Sequence, residues 1–186
     1  MSSFTTVWCE IVADDDPPLF DIEAFNPELH EYGEFVSGVP RADNFLKRSA
    51  KRFQKDGMAR TWVAVRPGAP KVIGYYSINA MGFDASDLPN ALAKRAPAHG
   101  KVPGLFLSWL AVDLTTQGLG LGRALLADVR QRAIDVAQQI GVAVIVLDVL
   151  DDDDEEAIAK RMAFYKTWGY QSFPSTPLRM FRAIHR

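Results

Sequence analysis

Cysteine and histidine are scarce in this chain of 186 residues, which contains one cysteine and three histidines. The single thiol, Cys9, excludes an internal disulfide, and so few histidines, far apart in the sequence, predict no metal site. No uncharged apolar run approaches the roughly twenty residues that a membrane-spanning helix needs. The N-terminus lacks the basic and apolar regions of a signal peptide, so we expect a cytoplasmic protein that contacts no membrane.

Basic residues are absent from the first forty positions, which carry nine Asp or Glu. The next twenty positions reverse the balance, with seven Lys or Arg against two Asp. Such a separation of charge can mark a binding face for a polyanion, and the alternative is that the two segments pair with each other or face solvent. The chain as a whole has a formal net charge of −2.

The pattern of apolar residues predicts a single α/β (α+β) domain, residues 1–186, with a mixed, mostly antiparallel sheet of about seven strands and four helices. The predicted order is β-α-α-β-β-β-α-β-α-β-β, and its middle part, residues 105–150, is a right-handed crossover between two parallel strands. The strands are expected at residues 4–13, 61–65, 71–80, 105–114, 142–150, 170–173 and 178–184. The helices are expected from Asn26-Pro27 to about Ser37, from Arg41 to Lys55, from Gly122 to Ile140 and up to Trp168, with a weaker helical piece at residues 89–95.

A glycine-rich turn, Gln117-Gly118-Leu119-Gly120-Leu121-Gly122-Arg123, lies between a predicted strand and an amphipathic helix. Glycines allow the backbone to turn tightly and to present N–H groups at the helix N-terminus, which is a binding site for phosphate oxygens. The alternative is a tight turn without a ligand. The spacing does not fit a dinucleotide fingerprint, since the position of its last glycine is Arg123 when counted from Gly118 and Leu125 when counted from Gly120. No Walker Gly-Lys-Ser/Thr occurs.

The turn matches the Gln/Arg-x-x-Gly-x-Gly/Ala pyrophosphate loop of the GNAT acetyltransferase superfamily, and the order of the predicted elements resembles the GNAT fold. The resemblance implies that acetyl-CoA is the acetyl donor. Its pyrophosphate would lie on the amides of Leu119 to Arg123, and its pantetheine arm would pair with the strand backbone near Leu110 and Val112. The implied acetyl-CoA-binding residues are Leu110, Ala111, Val112, Gln117, Gly118, Leu119, Gly120, Leu121, Gly122 and Arg123.

A second motif, Phe164-Tyr165-Lys166-Thr167-Trp168-Gly169-Tyr170, is similar to the Phe-Tyr-x-x-x-Gly-Phe segment of the same superfamily. This resemblance implies that Tyr165 is the general acid that protonates the leaving CoA thiolate. A phenol with a reference pKa of about 10 carries a proton that it can pass to the sulfur. The alternative interpretation of Tyr165 is a core aromatic at helical spacing from Ile158 and Met162.

Four further segments resemble one branch of the superfamily, the toxins of type II toxin–antitoxin modules that acetylate the amino group of aminoacyl-tRNA. These segments are Phe35-Val36-Ser37-Gly38, Val72-Ile73-Gly74-Tyr75-Tyr76, Leu110-Ala111-Val112-Asp113 and residues 174–181. The resemblance implies contacts of Lys47, Arg48, Lys51 and Arg52 with tRNA phosphates, a cognate antitoxin, and a homodimer, since relatives are often dimers. The alternative acceptors are small-molecule or peptide amines, and the alternative class is a non-catalytic acetyl-CoA-binding module.

A strong general base is not required for this acceptor, because an α-amino group with a reference pKa of about 7.7–8.0 is already partly free base at neutral pH. Asp113, Asp148 and His30 are the candidate bases, and each also has a structural interpretation. The acidic run Asp151–Glu156 is expected at the start of the Tyr165 helix, where negative charge is favourable.

Overall fold

Seven strands form one mixed sheet in the computed structural model, which describes residues 20–184. The strands are β1 (Asp21–Ala24), β2 (Arg60–Val65), β3 (Val72–Asp84), β4 (Lys101–Val112), β5 (Val144–Asp148), β6 (Gln171–Ser172) and β7 (Arg179–Ala183). Their spatial order is β1-β2-β3-β4-β5-β7-β6, and within residues 20–184 the β4–β5 pair alone is parallel. The predicted mixed, mostly antiparallel sheet is therefore confirmed. The strand predicted at residues 4–13 lies outside the described residues.

Three long helices cover the two faces of this sheet. Helix α1 consists of α-helical Pro40–Asn44, a π-helical turn at Phe45–Ser49, and α-helical Ala50–Lys55. Helices α2 (Leu121–Ala137) and α3 (Glu155–Thr167) follow, and a single helical turn, Asn90–Ala93, corresponds to the weak helical piece of the sequence prediction. Among residues 20–184 no helix is both long enough and apolar enough to span a bilayer.

The helix predicted from Asn26-Pro27 to Ser37 is wrong. Asn26 does accept the turn bonds expected of a cap, from Glu28 N to its side chain and from His30 N to its carbonyl, but the helix stops after that turn. Glu31 then forms a β-bridge with Lys71, because its N–H donates to Pro70 O and its carbonyl accepts from Val72 N. Three of the four predicted helices therefore form.

Two apolar layers enclose the sheet. On one face, Leu125, Leu126 and Val129 of α2 form a buried cluster with β3, β4 and β5, against which the apolar side of α3 also packs. On the other face, the buried residues of α1, Ala42, Phe45, Leu46 and Ala50, pack on β2 and β3. Phe53 of the same helix is only partly buried against this layer.

Helix α2 sits close to the sheet because Gly74 of β3 has no side chain. A Cβ at Gly74 would lie 3.0 Å from Leu121 Cδ2 and 3.1 Å from Leu125 Cδ1. Farther along the helix, the guanidinium of Arg132 donates from Nε to Asp128 Oδ2 (2.7 Å) and to the Tyr76 hydroxyl (2.6 Å), and lies over the ring of Trp62. The Tyr76 hydroxyl itself donates to Asp128. This network holds α2 against Trp62 of β2 and Tyr76 of β3.

Candidate functional site

A cavity of about 420 Å³ opens where β4 and β5 separate. The two strands pair from Gly104 with Val144 to Leu107 with Leu147, while β4 continues to Val112 without β5 beside it. Backbone N–H and C=O groups on that edge of β4 are therefore not paired with β5. The predicted residues Leu110, Ala111 and Val112 all line the cavity at this edge.

A β-bulge in β4 determines which side chains enter the cavity. Ser77 of β3 pairs with Trp109 and Ile78 pairs with Leu107, so Ser108 is the extra residue, and its hydroxyl donates to Asn79 Oδ1 at 2.6 Å. A bulge interrupts the alternation of side chains between the two faces of a sheet. Leu107 and Leu110 consequently belong to the layer of α2 and α3, whereas Trp109 packs in the layer of α1. The lining contains residues of both layers, so the cavity passes through the sheet.

The glycine turn leads from β4 into the first turn of α2. Gly118 and Gly120 both have φ of +80°, which L side chains rarely adopt, and a Cβ at either would meet no atom within 4 Å. These two glycines are therefore required by backbone conformation and not by packing. Arg123 N and Ala124 N donate to Gly120 O. Leu121 and Gly122 are the first two residues of the helix, so no carbonyl of a preceding helical turn is present to accept from their N–H groups.

The other residues of the turn have distinct positions. A Cβ at Gly122 would lie 3.8 Å from Val112 Cγ2, so the start of α2 is next to the end of β4. Leu121 is buried, whereas Leu119 and Arg123 are exposed. Gln117 lines the cavity, and its side-chain amide donates to Ser37 O (3.0 Å) and Val112 O (3.1 Å). Gln117 therefore ties the turn to both walls of the cavity.

Asp113 fixes the end of β4 and is not placed as a base. One carboxylate oxygen accepts from Thr115 N and the Thr115 hydroxyl, and the other accepts from Val36 N at 3.0 Å. Burial raises the pKa of Asp113, but the hydrogen bonds from Thr115 and Val36 outweigh it and hold the pKa below its usual value. The Asp113 carboxylate is thus ionised and fully used as a hydrogen-bond acceptor.

His30 and Asp148 are also held by other groups. The ring of His30 accepts from Asn26 N at Nδ1 and contacts Glu23 Oε1 through Nε2 (2.7 Å), and it does not line the cavity. Asp148 does line the cavity, but Arg179 binds it in a bidentate pair with both distances at 2.7 Å. The structural interpretation fits all three candidate bases.

Tyr165 reaches the cavity from α3, on the face that also carries α2. Its ring packs edge-on against Phe164 and Tyr170. Burial raises the pKa of Tyr165 to about 12, with the charge of Arg161 acting in the opposite direction. The phenol therefore keeps its proton at neutral pH. Of the predicted site residues, the cavity brings together Leu110, Ala111, Val112, Gln117 and Tyr165.

Sequence reasoning missed Trp109, Arg41 and Arg161, which line the same cavity. Arg161 precedes Tyr165 by one turn of α3. This i, i+4 spacing is the sequence feature that could have placed Arg161 beside Tyr165. Its guanidinium donates to Asp152 (2.9 and 2.6 Å) and to Leu150 O (3.1 Å), so it fixes the acidic segment before α3. Asp154 caps α3 by accepting from Ala157 N, as expected for the acidic run. No signal in the sequence marked Trp109, whose orientation depends on the bulge.

The four basic residues of α1 that the sequence assigned to tRNA do not line the cavity. Arg48, Lys51 and Arg52 are exposed and Lys47 is partly buried. Lys51 Nζ pairs with Glu28 Oε1 at 2.9 Å, so one acidic residue of the first forty positions does pair with this helix. Arg41, at the N-terminal end of α1, is the basic residue of this helix that lines the cavity. Within residues 20–184, no three His, Cys, Asp or Glu side chains are arranged to hold a metal ion.

Comparisons with known proteins agree on one family. The sequence pattern of the acetyltransferase (GNAT) family matches residues 21–170. A protein named probable toxin TacT, from Sinorhizobium fredii strain NGR234, is 39% identical over 88% of this chain and 90% of its own length. A tRNA-acetylating toxin from Mycobacterium tuberculosis strain H37Rv is 32% identical over 78% of this chain and 81% of its own length.

Solved structures of the protein AtaT have the same fold. AtaT complexed with acetyl-methionyl-tRNAfMet superposes with a TM-score of 0.77 at 21% identity, over 88% of this chain and 94% of AtaT. A mutant of the AtaT toxin bound to the C-terminus of the antitoxin AtaR and acetyl-CoA has a TM-score of 0.72 at 20% identity, over 89% of this chain and 94% of AtaT.

Proposed function

The chain belongs to the acetyltransferase (GNAT) family, and we propose that it is a toxin that transfers the acetyl group of acetyl-CoA to the α-amino group of aminoacyl-tRNA. The observation that carries the proposal is the cavity that passes through the sheet, with Tyr165 on one side and the open edge of β4 beside it. The curated relatives, one named a probable toxin and one a tRNA-acetylating toxin, support this acceptor.

The residues around the cavity fit acetyl-CoA. The first turn of α2 offers N–H groups without intrahelical partners, which is a site for the pyrophosphate. The edge of β4 from Leu110 to Val112 offers backbone groups to the amides of pantetheine. This edge is continuous with the glycine turn, because Gly122 lies beside Val112. We therefore assign acetyl-CoA binding to residues 110–112 and 117–123, and the proposed mechanism requires no metal.

Bound acetyl-CoA supplies a thioester whose carbonyl carbon the amine attacks. A C–N bond forms, the C–S bond breaks, and the amine nitrogen loses one proton to solvent. Tyr165 donates its hydroxyl proton to the departing sulfur and regains a proton from solvent afterwards. The amine needs no strong base, because its pKa near 8 leaves a sizeable fraction unprotonated at neutral pH. This agrees with the structural engagement of Asp113, Asp148 and His30.

The acceptor approaches from the face that carries α1, because Tyr165 and the start of α2 lie on the other face. Helix α1 presents Arg48, Lys51 and Arg52 to solvent, and Lys47 in part. We propose that these side chains contact the tRNA backbone, where the interaction with phosphates weakens as salt rises. Charged tRNA and acetyl-CoA are cytoplasmic, so we place the activity there. The AtaT complex with AtaR supports a cognate antitoxin for this chain as well.

The test is transfer of labelled acetyl from acetyl-CoA to total aminoacylated tRNA, with deacylated tRNA as the control. Label that appears in the aminoacylated fraction alone, and is lost on mild alkaline hydrolysis of the ester, supports the proposal. No label in either fraction, combined with thiol release in the presence of small amines, would contradict the tRNA acceptor.

A further inference from the structure

We propose that the α1 side of the cavity is a subsite for the side chain of the aminoacyl group and that it selects large apolar amino acids. This inference rests on the proposed function and names the substrate class of the same site. The acceptor amine must reach the thioester from this side, so the atoms next to the amine must lie against the α1-side wall. In an aminoacyl ester those atoms are the α-carbon and its side chain.

Apolar side chains form most of that wall, beside Ser37 and Arg41. Val39 and Ala42 contribute from the start of α1, and Phe106 and Trp109 contribute from β4. The bulge at Ser108 allows Phe106 and Trp109 to face the same side although they are three positions apart. Without the extra residue, strict alternation would turn Trp109 to the opposite face.

Trp109 is held in place and still partly accessible. Its ring stacks on Phe45 of α1 at 5.4 Å between centroids and an angle of 25°. One ring face is therefore covered, and the side chain remains partly exposed where it lines the cavity. Removing a leucine-sized side chain from water onto such a wall is favourable, whereas glycine offers no side chain to bury.

The charged groups of the cavity do not favour a charged side chain. Four of its lining residues carry charge, namely Arg41, Asp148, Asp151 and Arg161. Asp148 is paired with Arg179, and Arg161 is paired with Asp152. Arg41 and Asp151 have opposite signs, so the four formal charges of the whole lining sum to zero. A charged aminoacyl group would lose water without gaining a full set of partners.

The test compares aminoacyl groups on one tRNA body, charged separately with Leu, Phe, Met, Gly, Asp and Lys. The measured quantity is kcat/KM for acetyl transfer. We expect Leu, Phe and Met to exceed Gly, Asp and Lys by about ten- to a hundredfold. Preference for Gly or for a charged group would overturn the inference while the proposed function stands. Transfer to none of the six would instead overturn the proposed function.

Two substitutions tie the preference to this wall. Val39→Phe fills the subsite and should lower the Leu-to-Gly ratio of kcat/KM at least fivefold, with unchanged affinity for acetyl-CoA. Val36→Phe is the matched control, because Val36 is exposed and does not line the cavity. Trp109→Ala should also lower the ratio. A ratio that neither Val39→Phe nor Trp109→Ala changes in a folded protein would overturn the assignment of the subsite.

Discussion

Substitution of Tyr165 is the most direct test of the proposed chemistry. Its hydroxyl is the one group of the cavity that sequence and structure both offer as a proton donor to sulfur, and its ring is also part of the core. Tyr165→Phe keeps the ring and removes the proton. We expect kcat to fall by about a hundredfold, in the range typical of general acid catalysis, while the Kd for acetyl-CoA measured by calorimetry changes less than twofold.

Tyr170→Phe is the matched control for that substitution. Tyr170 is buried and packs edge-on against Tyr165 with 5.8 Å between ring centroids, so it loses a hydroxyl in the same apolar surroundings. Its kcat should stay within a fewfold of that of the parent protein. An unchanged kcat in Tyr165→Phe would mean that the leaving sulfur takes its proton from water.

The pKa of Tyr165 predicts the pH dependence. Activity requires the free amine and the protonated phenol. As pH rises through about 8 the amine loses its proton and kcat/KM should increase. The phenol, whose burial raises the pKa of Tyr165 to about 12, stays protonated well beyond that point. We therefore expect kcat/KM to rise and then remain flat through about pH 9.5, in short assays corrected for ester hydrolysis. A decline that begins by pH 9 would contradict the assignment.

At the scale of elements, the glycine turn is the part of the site that depends most on backbone conformation. Gly120 has φ of +80° and precedes the first residue of α2. In Gly120→Ala the Cβ meets no atom, so the substitution acts only through the strain of a left-handed residue, about 1–2 kcal/mol. If that strain is relieved by turning the N–H groups of the first turn, the Kd for acetyl-CoA should rise about tenfold.

Gly100→Ala separates loss of binding from loss of stability. Gly100 has φ of +73° and equally open surroundings, but it lies in the connection before β4 and not in the glycine turn. Both variants should lose similar thermal stability, and only Gly120→Ala should weaken acetyl-CoA binding. Equal affinities in the two variants would show that the turn does not hold the pyrophosphate.

Helix α1 is the element to which we assign the tRNA backbone. Replacing Lys47, Arg48, Lys51 and Arg52 together by Ala should raise the KM for aminoacyl-tRNA and reduce the salt dependence of binding, by about 0.7–0.9 in the log–log slope for each phosphate that is no longer neutralised. Lys51 is already paired with Glu28, so we expect it to contribute least. The measurement is tRNA affinity between about 50 and 300 mM salt, a range over which the Debye length falls by more than half.

The control for α1 carries the same change of charge elsewhere. Lys94, Arg95, Arg130 and Lys160 are exposed and lie outside α1 and the cavity lining. Their joint replacement by Ala should leave the salt slope nearly unchanged. Equal losses in both quadruple variants would assign the effect to net charge and not to this helix.

Elements with a continuous apolar pattern were predicted well, whereas two features that depend on tertiary pairing were not. Helix α1 begins one residue from its predicted start, and α2 ends three residues before its predicted end. The segment after Asn26 carries the local signals of a helix start, which also describe one turn, and the bridge from Glu31 to Lys71 then takes the backbone bonds. The bulge at Ser108 has no glycine or proline to mark it, so neither the strand separation nor the face of Trp109 could be predicted.

At the scale of the whole molecule, the β4–β5 pair joins two parts of the sheet. Strands β1 to β4 come from residues before 113 and strands β5 to β7 from residues after 143. Phe83 and Val102 from the first part share a buried cluster with Val144 and Phe181 from the second. The cavity opens where this same pairing ends. β4 and β5 must therefore pack closely up to Leu107 and Leu147 and remain unpaired beside the cavity.

Gly104 of β4 lies where the two parts of the sheet pack closely together. Its added Cβ would lie 2.7 Å from Phe83 Cε2 and 2.8 Å from both Val144 Cγ2 and the Val144 carbonyl oxygen, and the last of these is backbone that cannot turn aside. Gly104→Ala should therefore cost about 1–3 kcal/mol of overpacking and lower Tm by roughly 2–12 °C. Gly82→Ala, whose Cβ would lie at an ordinary packing distance of 3.7 Å from Lys101 Cβ, should lower Tm far less. Because separation at Gly104 would also shift β5 beside the cavity, kcat should fall with Tm. Equal melting temperatures for the two variants would show that the sheet is not joined at this glycine.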